Sequence, residues 1–250
     1  MLSVAIITYN EEENIRKTLE AVRNLADEII VVDSFSTDKT VDIAKEYGSK
    51  IYIEKFKGFI DQKNSAMEKC SNEWILFLDA DEVATPELKE SIRNALSKDE
   101  IRGYIINRRT FYLGKLLKYS WQPDRKLRLV HKSLNPKWGK SSPHEKLYIN
   151  GKSEILEGEI IHYSYKNLNE HIQKLNYYAQ SVAQNYYING RHFKLYNILL
   201  NPFLAFFKKY LFKLGFLDGY RGFFVAVSSF IYVFLKYAYL WERSKVKSNQ

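Results

Sequence analysis

Apolar runs and amphipathic stretches alternate four times in the first hundred residues. The amphipathic stretches place apolar side chains at helical spacing, as at Ile15, Leu19 and Val22. The runs between them have the length and composition of buried strands. Such alternation is typical of an α/β fold, with a mostly parallel sheet covered by helices on both faces. The predicted strands are residues 3–8, 28–32, 50–53 and 73–78.

This alternation stops after residue 100, where β-branched and aromatic runs are separated by polar segments. Residues 118–125 and 132–146 are rich in turn-forming residues, so we predict loops there. Residues 168–188 have the spacing of a long helix. The predicted strands in this half are residues 101–107, 111–117, 126–131 and 154–163.

The fourth predicted strand runs directly into carboxylates at Asp79, Asp81 and Glu82. Side chains alternate along an extended segment, so we expect Asp79 and Asp81 to point to the same side. Ligands of open parallel sheets bind at the carboxyl ends of the strands, where Asp33 also lies. Because Mg²⁺ takes one or two carboxylates plus phosphate oxygens, the pattern predicts a metal or phosphate site. The alternative is a solvated acidic loop.

The sequence has 250 residues and a net charge of +9, and the charge is unevenly distributed. Residues 191–250 contain ten Lys or Arg and two acidic residues. Basic asymmetry of this kind points to nucleic acid or an anionic membrane surface. Aromatic and aliphatic residues dominate here and no nucleic-acid-binding motif is present, so we expect no nucleic acid partner.

The same C-terminal part contains a charge-free run of 14 residues, from Gly222 to Leu235. A membrane-spanning helix needs about 20 apolar residues, so we expect an interfacial element with amphipathic helices. The alternative is a pair of helices that pack on the domain or join two subunits, which leaves a homo-oligomer possible. A single cysteine, Cys70, excludes an internal disulfide. The N-terminus has no basic leader and does not resemble a signal peptide.

Four segments in series carry a resemblance to a known family. The first two include strands one and two with the residues that follow them, the third precedes strand four, and the last includes its end. Together they resemble family 2 glycosyltransferases of the GT-A fold, with a second likeness at 121–128 and 143–145 to lipopolysaccharide inner-core β-1,4-glucosyltransferases. The four segments are residues 4–12, 28–40, 62–64 and 76–82.

The resemblance implies a nucleotide-activated sugar as donor, which we expect to be UDP-linked, and Mg²⁺ or Mn²⁺ as cofactor. It also implies roles for individual residues. The implied nucleotide-sugar-binding residues are Thr8, Tyr9, Glu12, Asp33, Lys63 and Asp79. The implied metal ligands are Asp79, Asp81 and His162, with His162 closing an apolar strand.

Family 2 members invert the anomeric centre and use a carboxylate as base. Glu145 in Pro143-His144-Glu145 is our candidate, and His144 remains open as an alternative. We expect the pKa of Glu145 to be raised by a partly closed pocket. Trp121, Arg125 and Arg128 are the predicted acceptor-binding residues. The alternative for the two arginines is pairing with nearby acidic residues.

The resemblance also implies a division of the chain and a location. We expect a catalytic domain at 1–166, with a nucleotide-sugar half at 1–100 and an acceptor half at 101–166. Residues 167–250 would form a helical region for a membrane surface or oligomerisation. The acceptor would be a lipid-linked glycan, such as a lipopolysaccharide core, at the cytoplasmic face of the membrane.

Two other interpretations of the residues stay open. The run from Leu76 to Val83 also resembles the nucleophile strand of haloacid-dehalogenase-type phosphatases, in which Asp79 would attack phosphorus. The chain could alternatively be a non-catalytic membrane-surface module that keeps a transferase fold.

Overall fold

The computed structural model describes residues 1–97, 101–141 and 144–246, without the side chains of 140, 141, 144 and 246. The chain forms two compact units. The first contains Met1–Arg109 and Asp124–Tyr163, and the second contains Thr110–Pro123 and Ser164–Gln250. The predicted boundary near residue 166 remains a prediction, and the structure assigns the short segment 110–123 to the helical unit.

Strands and helices alternate at the start of the chain, and helices fill its end. The strands are β1 Leu2–Thr8, β2 Glu28–Asp33, β3 Lys50–Ile53, β4 Trp74–Asp79, β5 Glu82–Ala84, β6 Gly103–Tyr112, β7 Lys115–Leu116, β8 Arg125–His131, β9 Lys137–Ser141, β10 His144–Tyr148 and β11 Glu154–His162. The helices are α1 Ile15–Val22, α2 Thr40–Glu46, α3 Phe59–Glu68, α4 Pro86–Leu96, α5 Leu168–Ile188, α6 Leu195–Leu199, α7 Asn201–Phe207 and α8 Tyr220–Val246.

The main sheet has the strand order β3-β2-β1-β4-β8-β6-β11-β5. Its first four strands are parallel, while β8, β6, β11 and β5 add antiparallel pairs. The predicted α/β fold with a mostly parallel core sheet is therefore confirmed. Strands β1, β2 and β4 are buried along nearly their whole length, as expected for strands covered on both faces.

Local sequence signals explain the helix that follows the acidic turn. Thr85 is its N-cap, and its hydroxyl accepts a hydrogen bond from the Leu88 amide at 3.3 Å. Pro86 occupies the first helical position, where a missing N–H costs nothing. Leu88 and Ile92 are fully buried against the sheet core. The cap and the proline thus place the start of this helix at Pro86, and it ends at Leu96.

The loop predicted at 132–146 is wrong from residue 137 onward, because Lys137–Ser141 and His144–Tyr148 are strands that pair antiparallel. The segment looks like a loop because it contains Gly, Pro, Ser and several Lys residues. Its strands are held by buried apolar residues at alternating positions, notably Trp138 and Leu147. Trp138 packs edge-on against Phe77 of β4, and Asn64 of α3 bonds its backbone at both the N–H and the C=O. Tertiary contacts override the local composition.

The second unit is built around α8, which has 27 residues and is much longer than the charge-free run suggested. The apolar pattern continues on both sides of that run, and Arg221 and Lys236 lie inside the helix. Among the described residues, Tyr220–Lys245 is the one helix that is long and apolar enough to cross a bilayer by length and composition. Length alone therefore does not exclude a membrane span, contrary to the sequence argument.

Hydrogen bonds connect the segment 110–123 to Asp218 and Arg221 in the C-terminal part of the same unit. The Asp218 carboxylate accepts hydrogen bonds from the backbone N–H groups of Lys118, Tyr119 and Ser120 at 2.8, 3.1 and 2.7 Å. Arg221 donates from Nε to the carbonyl of Leu113 at 2.8 Å. One carboxylate thus holds three consecutive amides of a turn.

Candidate active site

Three candidate residues close neighbouring parallel strands of the first unit. In the sheet register, Thr8 of β1 pairs with Asp33 of β2, and Ile7 of β1 pairs with Asp79 of β4. The carboxyl ends of these strands therefore bring Thr8, Asp33 and Asp79 to one edge. This is the placement that the alternating pattern predicts for a ligand site.

Asp33 is fully buried and organises the loop after β2. It accepts hydrogen bonds from the backbone N–H of Ser36 at 2.8 Å and from the Ser36 hydroxyl. The Ser36 hydroxyl in turn accepts a hydrogen bond from the backbone N–H of Asn10 at 2.8 Å. The loops after β1 and β2 are thereby tied together, which fixes the Asp33 carboxylate in place.

Two aromatic side chains flank this pair of loops. Tyr9 and Phe35 are 58% and 59% exposed, although each ring could bury its faces against a flat ligand. The backbone of Phe35 is in the left-handed region, with φ +63, and its side chain is exposed. Sequence reasoning missed Phe35; the available signal was a large aromatic between two serines just after a strand-ending aspartate. Glu12 is exposed, and it supports the loops by accepting a hydrogen bond from the Lys39 amide at 3.1 Å.

The Thr8 hydroxyl is buried and has no hydrogen-bond partner within the described residues. Buried hydroxyls normally have a partner. An orphaned hydroxyl beside Asp33, at the end of β1, is the kind of group that a bound polar ligand satisfies. This observation supports a ligand site at the strand ends.

Asp79 lies between two cations. Its Oδ1 is 3.0 Å from Lys63 Nζ, and its Oδ2 is 3.1 Å from Arg128 Nη2. Burial alone would raise the pKa of Asp79, but the charges of Lys63 and Arg128 outweigh it and hold that pKa well below its ordinary value. Asp79 is therefore ionised at neutral pH.

Lys63 also connects Asp79 to the candidate base. Its ammonium group is 3.1 Å from Oε1 of Glu145 and lies 4.6 Å from the centre of the Trp138 ring. Burial would raise the pKa of Glu145, but the Lys63 charge prevails and lowers it. Our expectation of a raised pKa is wrong for this state, because it overlooked a cation from α3. The side chain of His144 lies outside the described residues, so its role as the alternative base stays a prediction.

Beneath Asp79 is a buried ionic network that sequence reasoning missed. Glu82 is fully buried, and its Oε2 accepts the Asp79 backbone N–H at 3.0 Å. Its Oε1 lies 2.9 Å from Arg128 and 3.0 Å from Arg108. Arg108 also binds Asp124 at 2.7 Å. Asp79 is thus fixed through its main chain and its side chain by the same set of residues.

This network corrects the expected role of Arg128. The residue is only 3% exposed, and its guanidinium group binds Asp79 and Glu82. A buried guanidinium group that is paired with the buried Glu82 and the partly buried Asp79 is not available for direct contact with an acceptor. Along β8 the side chains pass from exposed at Arg125 to continuously buried from Arg128 onward, so the two arginines have different surroundings.

Within the described residues, the two aspartates of the acidic turn bind different partners, and the extended geometry on which the alternation argument depends does not continue to Asp81. Strand β4 ends at Asp79, and a turn at Ala80–Asp81 interrupts the extended geometry. Asp81 Oδ2 lies 3.2 Å from His162 Nε2, at the end of β11. Both side chains are partly buried, at 18% and 17% exposed. The structure therefore brings together two of the three predicted metal ligands and places Asp79 among cations.

The donor set around Asp81 fits a divalent cation that is completed by ligand oxygens. Among the described residues, no group of three or more His, Cys, Asp or Glu side chains is arranged to hold a metal by itself. Mg²⁺ binds through one or two carboxylates plus phosphate oxygens, and a carboxylate with an imidazole also suits Mn²⁺. A two-residue site is thus consistent with a metal that arrives with a phosphorylated ligand.

Trp121 belongs to the second unit, where it packs in an aromatic cluster. Its ring centre is 5.4 Å from that of Tyr112 and 5.8 Å from that of His171. The Tyr112 hydroxyl is 2.8 Å from Nδ1 of His171. Trp121 is partly buried, so its predicted contact with an acceptor stays a prediction, as does that of the exposed Arg125.

Comparison with known proteins supports a single family. The model of Glycosyl transferase family 2 matches residues 3–150. An uncharacterized glycosyltransferase of Rickettsia typhi is 31% identical over 94% of this chain and 84% of its own length. The lipopolysaccharide core biosynthesis glycosyltransferase LpsC of Rhizobium meliloti is 29% identical over 99% of this chain and 94% of its own length.

Solved structures share the fold at low sequence identity. The mannosyltransferase PcManGT of Pyrobaculum calidifontis, in complex with GDP-Man and Mn²⁺, has a TM-score of 0.53 at 15% identity and covers 97% of this chain and 87% of its own. TarS 1-349 of S. aureus, in complex with UDP-GlcNAc, has a TM-score of 0.50 at 15% identity and covers 100% and 92%. The family match includes Asp79 and Asp81, so neither the phosphatase nor the non-catalytic module is supported. The chain belongs to glycosyl transferase family 2 and is an enzyme of that family.

Proposed function

We propose that this enzyme is an inverting, metal-dependent hexosyltransferase that moves a sugar from a UDP-linked donor to a lipid-linked glycan. The observation that carries the proposal is the position of Lys63, which joins Asp79 at the strand ends to Glu145 of the β9–β10 hairpin. A donor-side carboxylate and a candidate base thus share one cation. That arrangement suits a reaction in which a nucleotide diphosphate leaves while an acceptor hydroxyl is deprotonated.

The donor site would be the edge formed by β1, β2 and β4. Asp33 would accept from the base, the Thr8 hydroxyl would gain a polar partner, and Tyr9 and Phe35 would offer ring faces to the nucleoside. Glu12 would keep the two loops together. TarS and PcManGT were solved with UDP-GlcNAc and GDP-Man, which favours a nucleotide-sugar at this edge but leaves the nucleotide to experiment.

Asp81 and His162 would hold Mg²⁺ or Mn²⁺. The metal would supply positive charge for the pyrophosphate of the departing nucleotide. Asp79 contacts Lys63 and Arg128, so we assign it to donor binding and to the positioning of these cations. In this assignment His162 is a direct ligand and Asp79 is not required to be one.

Glu145 would take the proton from the acceptor hydroxyl. Its lowered pKa keeps it ionised, which a base requires, although it also makes the base weak. An anionic donor phosphate would compete with Glu145 for the Lys63 ammonium group. Losing part of that charge would raise the pKa of Glu145, so the base would strengthen when the donor is bound.

The lipid-linked acceptor and the membrane location rest on two supports. LpsC is named for lipopolysaccharide core biosynthesis, and the second unit exposes many large apolar side chains. We therefore place the enzyme at the cytoplasmic face of an anionic membrane, as a peripheral protein. A homo-oligomer formed through the C-terminal helices stays open.

The test is turnover with defined donors. UDP-glucose, UDP-GlcNAc and GDP-mannose are each incubated with extracted lipopolysaccharide acceptor and Mn²⁺, and nucleotide release and product anomericity are measured. We expect one donor class to react, inversion at the anomeric carbon, and loss of turnover in Glu145→Gln and with chelator. Undiminished turnover in chelator, or retention of configuration, would contradict the proposal.

A further inference from the structure

The helical unit exposes many large apolar side chains between residues 203 and 217. Phe212 is 82% exposed, which is unusual for a phenylalanine in a helical segment. Isolated exposed apolar residues are normal, whereas a dense group of them marks a surface that becomes covered. We call the exposed apolar side chains of this segment the apolar edge; it includes Leu204, Phe207, Leu211, Phe212, Phe216 and Leu217.

The charge of the same segment indicates what covers it. Lys208, Lys209 and Lys213 are interleaved with the apolar edge, and residues 203–217 contain no acidic residue. The nearby carboxylate of Asp218 already accepts three backbone hydrogen bonds. A two-fold dimer would place the lysines of one copy near those of the other, which is unfavourable. An anionic lipid surface offers both apolar chains and complementary charge.

Helix α8 could span a bilayer by length and composition, but its packing argues against that. Tyr237 and Leu240, in its second half, are buried in one cluster with Ala183 of α5. The Tyr239 hydroxyl donates to Oδ1 of Asn176, also on α5, at 2.7 Å. The second half of α8 therefore cannot enter a membrane without taking α5 with it.

Helix α5 is too polar for the hydrocarbon region. Along its length it carries amide and charged residues at many positions, and polar groups in lipid are costly unless paired. Lys236 of α8 lies beside Tyr186 of α5, with its ammonium group 5.4 Å from the ring centre. The amide and charged residues of α5 are Asn169, Glu170, Gln173, Lys174, Asn176, Gln180, Gln184 and Asn185.

The first half of α8 has different neighbours. Phe223 packs against Phe206, and Phe230 packs against Phe203, with ring centres 6.1 and 5.0 Å apart. Both partners belong to α7, which leads into the apolar edge. The apolar edge and the first half of α8 thus form one aromatic-rich layer, separate from the polar contacts with α5.

We propose that the enzyme docks on one leaflet of an anionic membrane through the apolar edge and does not span it. The apolar edge lies among the headgroups and upper acyl chains, while α5 and the second half of α8 stay in water. This inference rests on the proposed lipid-linked acceptor and adds the docking surface and its depth. Lys208 and Lys213, both exposed, contact the lipid phosphates.

The first experiment measures co-sedimentation of the full chain with vesicles of phosphatidylcholine alone or mixed with phosphatidylglycerol. We expect binding to the anionic vesicles, and a loss of at least about tenfold in Leu211→Glu/Phe212→Glu and in Lys208→Glu/Lys213→Glu. The matched control is Tyr177→Glu on α5, whose exposure of 69% lies between those of Leu211 and Phe212, and which should bind like the wild type. Equal loss in the control, or wild-type binding in both double variants, would overturn the inference.

The second experiment measures depth with nitroxide labels on vesicle-bound protein. Cys70 is buried, so labels are attached at Phe212→Cys, Tyr177→Cys and Trp241→Cys. We expect label 212 to collide with oxygen, and labels 177 and 241 with a water-soluble nickel chelate. Shielding of label 177 or 241 from nickel would overturn the one-leaflet mode in favour of a span.

Failure of the docking proposal is distinguishable from failure of the proposed activity. Nucleotide-sugar turnover with soluble, deacylated acceptor is measured on the same protein preparations. Turnover without vesicle binding by the wild type overturns the docking surface alone. Vesicle binding without any turnover overturns the proposed function. The docking surface would then stand, but its connection to a lipid-linked acceptor would be contradicted.

Discussion

The ammonium group of Lys63 lies 3.1 Å from a carboxylate oxygen of Glu145, although 82 residues separate them in sequence. The same ammonium group is 3.0 Å from Asp79. With a side chain that is only 7% exposed, Lys63 is weakly screened by solvent. Its charge therefore acts strongly on both carboxylates and links the donor edge to the candidate base.

Replacing Lys63 with Met should uncouple these two carboxylates. We expect kcat/KM to fall about a hundredfold, the order of loss seen when one charge-stabilising donor is removed from an active site. The pKa of Glu145 should rise, because the cation that lowers it is gone. The acid limb of the pH–rate profile should then move to higher pH. The matched control is Lys69→Met on the same helical segment; an unshifted acid limb in Lys63→Met would contradict this account.

Removing Arg128 should damage both stability and donor binding. Arg128→Met removes one of the two cations that bind each of Glu82 and Asp79, leaving Arg108 and Lys63 as their partners. Because Glu82 is fully buried, we expect a loss of about 3 kcal/mol of unfolding free energy. Arg125→Met is the control, since Arg125 is exposed on the same strand and should change stability by less than about 0.5 kcal/mol. Urea unfolding gives the stabilities, and calorimetry gives nucleotide affinity. Equal stability losses in the two variants would show that the network is not structural.

The buried carboxylate of Glu28 should make the first unit acid-sensitive. Lys50 lies 2.6 Å away, Ser3 and Ser71 donate hydrogen bonds, and these contacts overcome burial and lower the pKa of Glu28 to about 2. Because the folded pKa lies below the unfolded value, this stabilisation is complete above the unfolded pKa of 4.5. It is lost as pH falls from there towards about 2.

Glu28→Gln tests this directly. We expect the variant to be less stable by about 2 kcal/mol near neutral pH, and the difference to shrink at about pH 3. Glu46→Gln serves as control, since Glu46 forms an exposed pair with Arg16 and should show neither effect. A stability gap that is the same at both pH values would contradict the assignment.

The Asp218 contacts predict a local change in the second unit. Asp218→Asn removes the charge that holds the amides of residues 118–120, and charge-assisted hydrogen bonds contribute about 1.5–3 kcal/mol. Hydrogen exchange of those three amides should therefore accelerate at least about tenfold. Glu242→Gln, at an exposed site on α8, should leave their exchange unchanged. Unaltered protection in Asp218→Asn would show that the turn is held by other contacts.

Strand and helix positions in the parallel half follow closely from local pattern. The apolar run Ile29–Val32 indicates a buried strand by its composition alone. Thr85 and Pro86 mark a helix start through local capping, without any contact distant in sequence. The β9–β10 hairpin could not be predicted, because it depends on Trp138 packing on Phe77 and on Asn64, which are distant in sequence. The charge-free run gives too short a length for α8, because the helix continues through Lys236, the charged residue that ends the run.

The candidate site divides in the same way. Residues that end strands, such as Asp33 and Asp79, are predictable because strand ends converge at one edge. The partners that determine the chemistry of these carboxylates are harder to predict. Arg108, Arg128 and Glu82 form a network whose members come from three strands, so no local pattern connects them. Thus the sequence indicates which carboxylates reach the edge, while only the fold shows that Asp79 lies between Lys63 and Arg128 and that Asp81 contacts His162.

The most direct test of the account is a calorimetric titration of UDP and of other nucleoside diphosphates with Mn²⁺ and with chelator. The account predicts metal-dependent binding of one nucleotide. It also predicts that Asp33→Ala loses binding with or without metal, and that Asp81→Asn and His162→Ala lose only the metal-dependent part. All three variants should remain folded by circular dichroism. Nucleotide binding that is indifferent to metal and to Asp81 would contradict the assigned metal site, and no binding under any condition would contradict the donor site itself.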